Sequence, residues 1–419
     1  MSKSPPPWLF GIITLPFGIG GAFMAVAMPF LLTKAGLSVE EIAKLSALAM
    51  LPSAYQLLWA PVLDLWMPRR FWLASLAVSG GLCLSACLLL KLPEQLALYK
   101  VLLVAGQALL GLVASCVGAL VSVGLSEDKK GTAASWVNAG NLGGGTLLGG
   151  GMVMALWHLS PKAAALALLA VIVIPALIAL RIEEPPPSRD PLMHHLGAMA
   201  VDVWRAVSAR RGWSGLLLCL SPVGTAVLIN LLSALGADFH ASDEVVELLN
   251  GWVGPFAQGA GALAGLFVLD RVDRRVAYLA SGVLTAICAG FMAVGPLSQN
   301  AYIAGCITYM VITGFAYASF SAFVYEIVGT AGKTAATLYS VFPAAGNQAI
   351  AYVTWLDGWG HQRWGPRGLP AMDAALNLGG VIVLAVLLWL VAEPRTAATA
   401  PSVDIAPAVL DEAGVTTQR

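Results

Sequence analysis

Three short motifs occur twice in this 419-residue chain, in the same order. Val62-Leu63-Asp64 with Arg69-Arg70 returns as Val268-Leu269-Asp270 with Arg274-Arg275. Lys130-Gly131-Thr132-Ala133-Ala134 is echoed by Lys333-Thr334-Ala335-Ala336, and Ala139-Gly140-Asn141 by Ala345-Gly346-Asn347. The offsets, 206, 202 and 206 residues, are nearly one value. A chain built this way folds as two equivalent halves. In a membrane protein such halves are the usual architecture of a transporter, with the solute held between them.

The membrane itself follows from charge. Only 11% of the residues are charged and 58% are hydrophobic, against about 25% charged in soluble domains. So little charge cannot cover a globular surface, and the lipid bilayer is the expected solvent. A net charge of zero excludes a nucleic-acid partner, because phosphate binding needs a basic excess. Cys83, Cys87, Cys116, Cys219, Cys288 and Cys306 all lie in apolar runs and read as small hydrophobes. No Cys/His cluster, Ser/His/Asp set or correctly spaced phosphate loop is present, so no metal, cofactor or enzyme activity is expected.

Apolar segments of about 20 residues predict an all-α membrane protein with about twelve spans in two six-helix halves. The first six begin near Trp8, Ile42, Phe71, Leu96, Ala133 and Pro161, and the second six near Trp213, Val245, Val276, Asn300, Thr334 and Leu369. Residues 1–182 form the first half, 183–211 a polar linker and 212–393 the second half. Residues 394–419 are a disordered tail by composition. Placing the N-terminus inside leaves only Lys34, Lys44, Lys91, Lys100, Lys162, Arg363 and Arg367 on the outer side, and the other 16 of the 23 basic residues inside. By the positive-inside rule, both termini and the linker face the cytoplasm. A monomer in the cytoplasmic membrane is expected.

The repeated Asp/Arg-Arg loops connect the second and third spans of each half on the cytoplasmic side. A helix N-terminus favours a carboxylate, and the spans that open after Lys130 and Lys333 start on that side. Asp64, Arg69, Arg70, Asp270, Arg274 and Arg275 therefore have two readings. They form a cytoplasmic gate across the halves, or they merely cap helices and fix topology. Gly145/Gly149 and Gly261/Gly265 carry the small-xxx-small spacing that brings helix backbones together in lipid.

Polar side chains inside the spans are few: Tyr55, Gln56, Gln107, Asn138, Asn141, Asn230, Gln258, Tyr309, Tyr317, Tyr325, Asn347 and Gln348. Each either bonds a neighbouring helix or lines a solute cavity. No carboxylate is expected near the middle of a span. Glu326, near the inner end of the tenth, is the candidate for proton coupling, or else a charge in contact with Lys333 or water.

Twelve spans with Asp-x4-Arg-Arg after the second, and a looser copy after the eighth, resemble the major facilitator superfamily. The stretches Pro29–Ile42, Leu51-Pro52 and Trp59–Asp64, with Ser242–Asn250 at the matching place in the second half, resemble its AmpG-type muropeptide permease and acetyl-CoA transporter branch. The resemblance implies alternating access around a central cavity, often proton-driven. The second, fifth, eighth and eleventh spans would line the interface. AmpG-type permeases carry acids in the fourth span, whereas Ser115–Val123 has none here. The expected function is secondary transport of a small-to-medium amphipathic solute: muropeptide-like, siderophore-like or peptide-like. An uncoupled facilitator, a carrier of lipid-like solutes and a non-transporting sensor or scaffold are the alternatives.

Overall fold

The computed structural model describes residues 5–150, 159–184, 197, 200–201, 203–205, 207–329 and 334–391. Most of the linker, the C-terminal tail and Lys333 lie outside the described residues, as do the side chains of Asn230 and of Arg210 and Arg211. Among the described residues the regular secondary structure is helical, with no strand beyond an isolated bridge residue at Leu65.

The first half comprises α1 (Trp8–Lys34), α2 (Val39–Ala54), α3 (Arg69–Cys87), α4 (Leu96–Gly124), α5 (from Glu127) and α6 (Pro161–Leu177). The second comprises α7 (Arg210–Leu220, resuming at Leu232–Asp238), α8 (Asp243–Ala264), α9 (Arg274–Val294), α10 (Gln299–Val328), α11 (Ala335–Trp364) and α12 (Gly368–Val391). Helix α5 starts six residues before the expected Ala133, because Glu127 and Asp128 suit a helix's first turn.

Among the described residues, seven stretches are long and apolar enough to cross a membrane, the last of them running through α11 into α12 as far as Leu387. The described parts of α2, α5, α7 and α8 do not meet this criterion. Three of them, α2, α5 and α8, pack against the opposite half. A helix that faces protein or a polar interior keeps more glycine, polar groups and breaks than one that faces lipid.

The duplication extends to helix starts. Ser38 opens α2, accepting from the Glu41 N–H at 3.3 Å while Glu41 accepts from the Ser38 N–H at 3.0 Å. Ser242 caps α8 at the same place in the second half, accepting from Val245. Such reciprocal caps satisfy N–H groups that a helix end otherwise leaves bare.

Glycines set the close approaches. A Cβ on Gly145 would lie 2.6 Å from the Gly18 Cα, and one on Gly149 2.1 Å from the Ala22 Cβ, so this pair presses α5 onto α1 within the first half. Gly261 likewise meets the Val311 carbonyl and seats α8 on α10. The two halves meet instead where Gly143 faces Gly259, and where Gly265 leaves room for the Ser135 hydroxyl.

Helix α7 departs from the uninterrupted span expected. Ser221-Pro222 leaves helical geometry, Gly224 (φ +65°) and Ala226 (φ +53°) turn left-handed, and a short 3-10 turn leads to Leu232. At Gly224 a Cβ would also strike the Tyr278 ring at 2.7 Å. Freed backbone groups inside a bundle need partners. The Gly224 N–H donates to Asn377 Oδ1 at 3.0 Å, and the Val223 carbonyl accepts from the Tyr278 hydroxyl.

Candidate functional site

Among the described residues, the carboxylates of Asp64 and Asp270 bond across the two halves at one end of the bundle. Helix α11 has no cap of its own. Its second and third residues donate to Asp64, from the turn after α2: Ala336 N–H to Oδ1 at 3.2 Å, Thr337 N–H and hydroxyl to Oδ2 at 2.9 and 2.8 Å. Arg69 neutralises the same carboxylate through Nε at 3.1 Å and Nη2 at 2.7 Å. The Asp64 side chain is fully buried, and an unpaired charge there would be costly. Five donated bonds remove that cost.

Asp270 makes the reciprocal contact. It accepts from the N–H groups of Gly131 at 2.8 Å and Thr132 at 2.9 Å, in the opening turns of α5. Gly131 is required for this approach, since a Cβ there would sit 2.4 Å from Asp270 Oδ1. Arg274 lies 3.8 Å from Asp270 and reaches Glu127 at 3.2 Å and Glu326 at 3.4 Å. Lys130, almost fully buried, closes the cluster on Glu127 at 2.6 Å. Burial pushes the Glu127 carboxyl up, but the Lys130 ammonium and then the Arg274 guanidinium outweigh it and hold the group below its ordinary value.

Not every expected gate residue belongs to these contacts. The Arg70 guanidinium donates to the Ile182 carbonyl at 2.7 Å and its N–H to Glu184 at 2.8 Å, tying α3 to the segment after α6. Arg275 contributes its N–H to Asp273, which caps α9. Glu326, the proton-coupling candidate, is an ion-pair partner of Arg274 and stays partly exposed; Lys333 lies outside the described residues.

The polar residues of the spans divide in two. Gln56 donates to the Gly111 carbonyl at 3.1 Å and to Ser115, whose hydroxyl meets Ser340 of the other half at 2.8 Å. Gln107 donates to the Gly20 carbonyl at 2.9 Å, and Asn138 to the Ser321 hydroxyl at 2.9 Å. Tyr325 stacks on Tyr339, whose ring fills the notch left by Gly118 across the interface. These side chains are committed to packing. Asn141 lies in a π turn of α5, its carbonyl against Gly18, and Gln258 offers its carbonyl to Gly314. Tyr55 and Gln348 are exposed.

Tyr317 and Asn347 come together with Thr225, Tyr278 and Phe320 around a recess of about 100 Å³ between α7, α10 and α11. Asn347 is exposed at its rim. Small-molecule sites measure roughly 300–1,000 Å³, so this recess has room for only part of such a ligand. Its walls offer aromatic faces, the hydroxyls of Thr225, Tyr278 and Tyr317, and one amide, and no charged side chain.

The sequence reading missed two carboxylates. Asp357 of α11 and Asp373 of α12 lie near the ends of their helices, yet both are fully buried. Tyr309 donates its hydroxyl to Asp373 Oδ2 at 3.0 Å. An isolated Asp inside an apolar run was the available signal, as was the Ser-Pro-x-Gly of α7.

The fold is that of solved transporters. A variant of the E. coli fucose:proton symporter FucP matches with a TM-score of 0.68 and 12% identity, over 91% of this chain and 98% of that one. FucP in the outward conformation gives 0.67 and 13%, with the same coverage. The human organic anion transporter MFSD10 (TETRAN) gives 0.66 and 15%, over 91% of this chain and all of that one. No curated protein sequence matches significantly. Residues 9–347 match the sequence model of the Major Facilitator Superfamily. With that match over most of its length, and with this multi-pass helical fold, the chain belongs to the Major Facilitator Superfamily of secondary transporters.

Proposed function

We propose that the protein carries a small-to-medium amphipathic solute across the cytoplasmic membrane by alternating access, with both termini and the end holding Asp64 and Asp270 on the cytoplasmic side. Residues 1–182 and 212–393 are the moving halves in this reading, and 183–211 is their linker. The observation that carries it is the reciprocal capping: each half holds the start of the other's interface helix with one carboxylate.

The strength of the caps suits a gate. Hydrogen bonds to charged groups contribute about 1.5–3 kcal/mol each, while reversing a 99:1 conformational preference takes about 5.5 kcal/mol. Six such bonds cross between the halves, enough to hold the end shut until water or other partners replace them as it opens. The uncharged recess beside Asn347 favours a solute with an apolar body and amide or hydroxyl groups. A peptide-like or muropeptide-like solute has that character. Glu326 serves the latch through Arg274.

Uptake into proteoliposomes, after a thermal-shift screen against muropeptides, siderophores and peptides, tests the reading. Saturable uptake of one class, slowed in Asp64→Asn, is the expected result. Absence of uptake for every class that stabilises the protein would reject it in favour of a sensor.

A further inference from the structure

The latch and the recess leave one buried group of residues unused. On the hairpin between α11 and α12, Asp357 and Asp373 are both fully buried, and Gly360, one turn on from Asp357, packs against Gly368 and Met372, next to Asp373. Asp373 has the support a charged carboxylate needs: the Tyr309 hydroxyl at 3.0 Å and Asn377 Nδ2 at 3.3 Å. Neither oxygen of Asp357 has a partner among the described residues. Cys288 approaches from α9. His361, one turn beyond Asp357, is paired with Asp238 at 2.9 Å. No Lys or Arg side chain is recorded against either carboxylate among the described residues.

Two fully buried carboxylates in one hairpin, one of them without any partner and neither paired with a cation among the described residues, do not both carry charge. One proton resolves the pair, and the geometry says where it sits. Asp373, with two donors, is the better supported of the two as a carboxylate; Asp357, without a donor, is the group that carries the hydrogen. A proton also needs no cavity, whereas a divalent cation takes six or more oxygen ligands.

The pair is wired to the solute recess. Asn377 donates Nδ2 to the Asp373 carbonyl at 3.0 Å and to Oδ1, and its own Oδ1 accepts from the Gly224 N–H at 3.0 Å. Gly224 lies in the left-handed break of α7, and its neighbour Thr225 lines the recess. A change of charge on the pair alters the demand on the Asn377 amide. That amide, with the Tyr278 hydroxyl, holds the broken backbone.

We propose that Asp357 and Asp373 form a proton-binding site of the second half, and that Asn377 transmits its occupancy to the α7 break and so to the solute recess. The coupling to solute rests on the transporter reading above; the proton site does not.

Infrared difference spectroscopy on the purified full-length protein, titrated with acid and base, tests the site without any solute. A protonated-carboxyl band should be present in the parent protein and lost in Asp357→Asn. It should return in Asp357→Glu, and shift in frequency in Tyr309→Phe. A parent band that survives in a folded Asp357→Asn protein, or no such band in the parent, overturns the site. Hydrogen exchange of residues 221–231, corrected for the intrinsic effect of pH, tests the wiring. Exchange should change across the titration in the parent and stay flat in Asp357→Asn; the same change in both overturns it. If the band behaves as expected but no solute is carried, the transporter reading fails and the proton site stands.

Discussion

Thr337 gives Asp64 two hydrogen bonds on one carboxylate oxygen, its N–H at 2.9 Å and its hydroxyl at 2.8 Å, across 273 residues of sequence. The carboxylate is thereby a helix cap supplied in trans, and the first turn of α11 depends on a residue of the other half. Removing its charge is the most direct perturbation of the latch. Asp64→Asn should loosen the closed end by about 2 kcal/mol, roughly thirtyfold in the conformational equilibrium. Distances between spin labels on the two halves, at the latched end, would report it. An unchanged distribution in both Asp64→Asn and Asp270→Asn would show that the carboxylates do not hold the halves together.

Gly131→Ala should open the second latch with every charge intact. The added methyl would sit 2.4 Å from Asp270 Oδ1 and 2.7 Å from the Leu269 carbonyl carbon. Backbone cannot yield cheaply there, and overpacking costs about 1–3 kcal/mol. Gly124→Ala, at a position with open space around it, should behave like the parent. Spin-label distances that leave the two variants indistinguishable would refute the steric argument.

Acid should weaken the Glu127 contact in a defined window. The carboxyl is held below its ordinary value of 4.5 in the folded protein. In the unfolded chain it takes up its proton first as pH falls. Its contribution to stability is therefore complete above that value and is lost as pH drops through the lowered folded value. The gap in thermal midpoint between the parent and Glu127→Gln should be widest near neutrality and narrow in acid. A gap constant down to pH 4 would contradict the assignment.

Solute affinity and stability should separate at two amides. Asn347→Ala removes a group at the recess and should weaken solute binding by about 1 kcal/mol, roughly fivefold, with the thermal midpoint hardly changed. Gln107→Leu removes the bond to the Gly20 carbonyl and should lower the midpoint with affinity unchanged. Titration calorimetry and thermal unfolding read the two effects independently.

The latch was legible because charge is rare in this chain. In an apolar sequence, Asp64 and Asp270 with their arginines stand out, and duplication placed them at equivalent points. Which side chains line the recess was not legible. Gln56, Gln107 and Asn138 have the same chemistry as Asn347, and only the position of a neighbouring carbonyl or hydroxyl separates a helix–helix bond from an open donor. Asp357 and Asp373 escaped for a related reason. Near the end of an apolar stretch a carboxylate reads as a boundary residue. It is buried here because Gly360 and Gly368, carbonyl against backbone, close the α11–α12 hairpin tightly over it.

The reciprocal caps also bear on biogenesis. Synthesis runs from the N-terminus, so the first six helices are made before Ala336 and Thr337 exist. Until α11 arrives, Asp64 has Arg69 alone to offset its charge, and the opening turns of α5 wait in the same way for Asp270. Each half is therefore incomplete at its own interface, and assembly of the pair finishes the secondary structure of both. A chain truncated after α10 would leave Asp64 without the three bonds that α11 donates to it.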